Sequence, residues 1–114
     1  MEKKSILTVK ENGFKELFST LDEGRDYHIA TSIFQYKEHK FKIKCDFSNG
    51  DPLGFNYKKS LAKFDAATGK FVYIADCRAV GIDSKNDYYI SSGEFAKYYN
   101  ELTRAFYDYI KMLF

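Results

Sequence analysis

The sequence has no tryptophan, one proline, two cysteines and two histidines in 114 residues. Each scarcity removes some chemistry. His28 and His39 have no cysteine or carboxylate at ligand spacing, so no zinc site is expected. Cys45 and Cys77 form no CxxC pair. They are expected to be core thiols in a reducing compartment, although paired strands could bring them within disulfide reach. No apolar run is long enough to span a bilayer. The first residues, MEKKSILTVKENGF, hold basic residues but no apolar segment of signal-peptide length. A cytoplasmic protein without membrane contact is expected.

The motifs of common catalysts are also missing. Thr68-Gly69-Lys70 is followed by Phe71, so a phosphate loop would lack its Mg²⁺-binding hydroxyl. Asp83, Asp87 and Glu94 fit an EF-hand frame, but Lys85 and Tyr88 stand where a third ligand and a glycine are needed. A nucleophilic Cys45 would need a base. His39 is six residues away along one strand, and His28 would have to reach it across a hairpin. A buried thiol beside a hydrogen-bonded histidine is the simpler expectation. The chain therefore reads as a non-enzyme with no cofactor and no metal.

What is present is ordinary in bulk and unusual in detail. The hydrophobic fraction is 45% and the charged fraction 30%, as in a folded soluble domain. The length suits one domain spanning 1–114. Ten tyrosines and eleven phenylalanines exceed the usual aromatic share. Tyrosines beyond the needs of a core often serve as contact groups. The lysine- and tyrosine-rich composition has the general look of small accessory proteins from bacterial or mobile-element genomes.

Periodicity gives the elements. Ser5–Lys10 is a candidate strand. Phe14, Leu17, Phe18 and Leu21 recur at i, i+3, i+4, i+7, which predicts a helix capped by Asn12 and ended by Gly24. Tyr27–Tyr36 reads as a strand joined through Lys37-Glu38-His39 to a second strand. Residues 48–56 form the longest irregular loop. Tyr57–Phe64 alternates weakly, and Asp65–Gly69 is a turn. Phe71–Cys77 reads as a central strand, and Tyr88–Ile90 as a short one. A long last helix is predicted from a cap at Ser92. Its inner arc would hold Phe95, Tyr98, Tyr99, Leu102, Ala105, Phe106, Tyr109, Ile110 and Leu113. Tyr107 falls toward its polar side, with Lys97/Glu101 and Arg104/Asp108 as ion pairs. The expected fold is α+β: a mainly antiparallel sheet of about five to six strands. An N-terminal and a long C-terminal helix would pack on one face.

Residues 39–47, HKFKIKCDF, alternate apolar side chains with Lys40, Lys42 and Lys44. The stretch from Tyr36 to Lys63 carries a net charge of +4, against −2 for the rest. If neighbouring strands merge their lysines, Tyr36, Lys40, Lys42, Lys44, Tyr57, Lys58, Lys59 and Lys63 form one candidate binding surface. Such a surface suits single-stranded nucleic acid or an acidic protein. Lysine is also the usual residue that keeps a sheet face or edge soluble, and for these lysines that is the first expectation, ahead of either partner. The absence of arginine there counts against phosphate and base recognition. The expectation is a small intracellular binding protein that regulates or inhibits an unidentified protein partner. The alternative is an RNA- or single-stranded-DNA-binding module.

Overall fold

A computed structural model describes residues 11–48, 58–85 and 89–114. Five strands run in order: β1 (Phe14–Gly24), β2 (Tyr27–Tyr36), β3 (His39–Ser48), β4 (Lys59–Asp65) and β5 (Lys70–Asp76). They form an antiparallel meander in which each strand pairs with the next. A 3₁₀ turn, Cys77–Val80, leads toward α1, Ser92–Leu113. The fold is α+β, with a five-strand antiparallel sheet and one long C-terminal helix. The candidate strand at Ser5–Lys10 and most of the 48–56 loop lie outside the described residues.

The predicted N-terminal helix is instead β1. Its helical spacing is produced by a strand with one irregularity. The register shifts between Glu16 and Phe18, so Leu17 is an extra residue. Before the shift Phe14 and Glu16 face α1; after it Ser19, Leu21 and Glu23 do. Phe18, Thr20 and Asp22 face the other way. A strand wins because β2 would otherwise present a full edge of unpaired N–H and C=O groups. A two-residue turn closes this hairpin between Gly24 and Tyr27. A Cβ on Gly24 would collide with the Tyr27 ring, so glycine lets the ring lie over the backbone.

The other hairpins use similar means. Lys37 takes a left-handed φ of +56° in the tight turn before β3. Asp65 holds the predicted 65–69 turn, its carboxylate accepting from Ala67 N at 3.1 Å and Thr68 Oγ1 at 3.2 Å. Gly69 completes that turn at φ +72°.

β5 is an edge strand, not a central one. Its apolar run is shared between two partly open faces, leaving Val72 and Tyr73 exposed. Tyr89 and Ile90 form no strand. Tyr88 lies outside the described residues.

α1 begins one residue earlier than predicted. Ser91 is its cap: its hydroxyl accepts from Glu94 N at 3.2 Å and lies 3.3 Å from the Glu94 carboxylate. The helix buries Phe95, Tyr99, Leu102, Thr103, Phe106, Tyr107 and Ile110. Tyr107 points inward, contrary to expectation, because β1 brings Phe14 beneath it. The two rings stack at 4.1 Å, and Phe34 meets Tyr107 edge-on. Leu113 is exposed, contrary to the predicted arc. Among the described residues Lys97/Glu101 and Arg104/Asp108 form no ion pairs; Lys111 instead meets Glu11 at 2.6 Å and Asp108 at 3.3 Å.

The core lies between α1 and one sheet face, around Phe34, Phe41, Ile43, Cys45, Phe47 and Leu61. Burial of each large apolar side chain supplies about 1.5–3 kcal/mol. Tyr99 adds a polar tie, donating to Ser32 Oγ at 2.6 Å, while Ser32 and Ser19 hydroxyls bond at 2.8 Å. Cys45 and Cys77 are buried, unbonded thiols. Among the described residues no helix is long and apolar enough to cross a membrane.

Candidate binding face

Directly paired residues in a sheet point to the same side. The register therefore sorts every strand residue onto the helix-covered face or the opposite, open face, which no described element covers. On the open face one row crosses all five strands: Phe18, Ile33, Lys42, Ala62 and Tyr73. A second runs Thr20, Thr31, Lys44, Ser60 and Asp76. Lys15, Gln35 and Lys40 form a third. Asp22, Ile29 and Asp46 form a fourth, at the acidic end of the face.

Three of the eight predicted site residues come together here. Lys40 and Lys44 are exposed, and Lys42 is half-buried among its neighbours. Their spacing follows from β3 itself, since alternate residues of a strand share a side. Phe64 and Phe71 pair across β4 and β5 with ring centroids 5.3 Å apart. The Lys42 ammonium lies 4.9 Å from the Phe71 ring centre, and that of Lys40 5.9 Å from Phe64. Among the described residues no carboxylate comes within ion-pair distance of Lys40, Lys42 or Lys44. Phe18 and Tyr73 are 38% and 44% exposed, so large apolar surface flanks the cations on both sides.

The remaining predicted residues go elsewhere. Lys59 and Lys63 pair with Cys45 and Phe41, which puts them on the helix-covered face. Lys58 is buried and donates to the Ser48 carbonyl at 2.8 Å. Tyr36 faces the helix side, where it stacks on Phe14 at 4.3 Å. Tyr57 lies outside the described residues. The strands bearing these lysines are neighbours, but their register sends the lysines to opposite faces.

Lys59 is 1% exposed, with its ammonium 4.3 Å from the Phe47 ring centre. Burial pulls its pKa below the ordinary lysine value. Burial also pushes the neighbouring Cys45 thiol far up, so that sulfur stays protonated and unreactive. His28 Nδ1 donates to Glu23 Oε1 at 2.8 Å, and the ring stacks on Phe95 at 5.1 Å. Lys63 lines a groove of about 600 Å³ with His39, Phe64, Val72 and Ile74. Glu38, Lys40 and Asp65 also border it, so lysine and carboxylate are mixed there.

Sequence reasoning missed the apolar partners of the lysines: Phe18, Ile33, Phe64, Phe71 and Tyr73. For Phe64, Phe71 and Tyr73 the signal was strand alternation in β4 and β5, hidden by a second register shift between Leu61 and Ala62; for Ile33 it was alternation in β2, and for Phe18 it was hidden by the shift at Leu17. No protein-family model, curated protein or solved structure matches the chain.

Proposed function

We propose that this chain is a non-catalytic binding protein that regulates or inhibits a macromolecular partner by docking the open face of its sheet. One observation carries the reading. Lys40, Lys42 and Lys44 stand in line on an uncovered face, flanked by aromatic and aliphatic side chains, with no carboxylate in ion-pair reach among the described residues. A lysine kept for solubility works best extended into water. Here Lys40 and Lys42 lie over Phe64 and Phe71 instead, so charge and apolar area form one surface. Such mixed patches gain binding energy from the apolar groups and orientation from the charges.

The nucleic-acid alternative draws less support. It called for Lys58 and Lys59 on the same surface, and both are buried. The rings of Phe64 and Phe71, which would have to stack on bases, already carry lysine ammonium groups.

Photo-cross-linking in the native host tests the reading. Benzoylphenylalanine replaces Thr31 on the open face or, as control, Arg104 on the exposed side of α1. The expected result is a discrete adduct from position 31 that disappears with Lys42→Glu/Lys44→Glu, and none from position 104. Equal labelling from both positions, or none from either, would remove the open face as the docking surface.

A further inference from the structure

We infer that the occupant of the open face is an acidic amphipathic α-helix of the partner protein. The inference rests on the reading of that face as a docking surface and adds the chemistry of what docks. Three features of the face select this occupant.

The first is spacing. Alternate residues of a strand are about 6.7 Å apart, so the attachment points of Lys40, Lys42 and Lys44 span about 13 Å, and their flexible side chains reach along that line. Carboxylates at i, i+4 and i+8 of a helix are about 6 Å apart and span about 12 Å. The two lines match without bending either element. The row of Asp22 and Asp46 beyond Lys44 then limits the acidic stripe to about two turns.

The second is backbone satisfaction. N–H and C=O groups within the sheet are consumed by the ladder and lie in its plane, not on its face. An extended peptide laid flat on that face would bury backbone groups with nothing to pair them. A helix arrives with its backbone already bonded.

The third is shape. Ile33 and Phe18 stand on one side of the lysine line, and Ala62, Phe71 and Tyr73 on the other. Five strands make a face about 19 Å across, wide enough for a helix about 10–12 Å in diameter. Leucine-like residues at i+1, i+5, i+3 and i+7 would flank the carboxylate stripe and reach both apolar margins. α1 covers the opposite face in the same manner, with apolar side chains against strand alternation. A single-stranded nucleic acid fits less well, because its bases would have to displace the lysines from the Phe64 and Phe71 rings.

The test uses synthetic fluorescent peptides and the full chain. One peptide is helical, with Glu at i, i+4 and i+8 flanked by Leu. A second has the same composition with the stripe scrambled, and a third has Lys in place of Glu. A single-stranded RNA oligonucleotide is the fourth probe. Anisotropy titration is expected to favour the striped acidic peptide over the scrambled one by about tenfold or more. Lys42→Glu/Lys44→Glu is expected to reverse the preference toward the Lys peptide, which loss of folding could not do. Equal binding of striped and scrambled peptides, tighter binding of RNA, or no reversal in the double variant overturns the inference. A position-31 adduct without peptide preference would defeat the acidic helix and leave the docking face standing. Failure of both experiments would defeat both.

Discussion

An ammonium group taken to 1% exposure loses nearly all of its hydration, and Lys59 is in that position. Its compensation is the face of Phe47 at 4.3 Å. A cation–π contact returns about 2 kcal/mol when desolvated, whereas burying a charge costs several. No described carboxylate lies within ion-pair distance of Lys59, and attraction to Asp46 is only a minor influence on it. Methionine has a similar length and no charge. Lys59→Met is therefore expected to raise stability by about 1–2 kcal/mol at neutral pH, read as a higher urea midpoint. The sign with pH follows from the lowered pKa. Below the folded-state pKa the cost of the buried charge is fully present. It is relieved as pH rises from there toward the ordinary value of 10.5. The advantage of Lys59→Met should shrink over that interval. A variant less stable than the parent would show that the ammonium is better solvated than its burial implies.

At the scale of elements, β1, β2 and α1 meet in the Ser19–Ser32–Tyr99 chain of hydroxyls. All three groups are buried, so removing one partner differs from removing two. Tyr99→Phe leaves the serines bonded to each other and is expected to cost about 1 kcal/mol. Ser32→Ala strands both the Tyr99 hydroxyl and Ser19, at about 1–3 kcal/mol. The double variant should cost less than the sum, and strict additivity in a double-mutant cycle would argue against the network. The same three elements show how far the sequence could be read. α1 was legible because its apolar residues recur over six turns, long enough for periodicity to be unambiguous. β2 and β3 were legible because both alternate without interruption. β1 was not, because the extra residue at Leu17 turns two short alternating runs into an apparent helical stripe. That error also misplaced Tyr107, whose inward direction depends on Phe14 of β1 and on nothing in the helix itself. The lysine face was half legible. Alternation placed Lys40, Lys42 and Lys44 together correctly, but register between β3 and β4 decides where Lys58, Lys59 and Lys63 go. Register is set by pairing across the sheet, which no local pattern encodes.

Among the described residues, α1 covers one face of the sheet and no element covers the other, and the contact between α1 and the sheet has a chemical weakness. Tyr98, Tyr99 and Tyr107 all lie at or under α1, and Cys45 lies in the core below. Burial raises the pKa of each, Tyr107 to about 12. The ordinary values, 9.0 for the thiol and 10.0 for the phenols, apply once the chain unfolds. Above those values the unfolded chain gives up protons that the folded chain keeps. Stability contributed by these neutral groups is thus intact below pH 9 and lost as pH climbs toward their folded values. The fully buried groups, Cys45, Tyr99 and Tyr107, each cost about 1.4 kcal/mol per pH unit in their windows, and half-buried Tyr98 costs less. Relief of the Lys59 charge offsets only one such group. Urea midpoints are therefore expected to hold up to about pH 9 and to fall with increasing slope beyond pH 10. Tyr107→Phe should flatten that fall by about one proton's worth, because its ring still stacks on Phe14 but no longer ionises. α1 should leave the sheet in the same transition, since three of the four groups hold it there. A stability profile flat to pH 11, or one unchanged by Tyr107→Phe, would mean that the phenols reach water in the folded chain. The helix-covered face would then be no better sealed than the face that we assign to a partner.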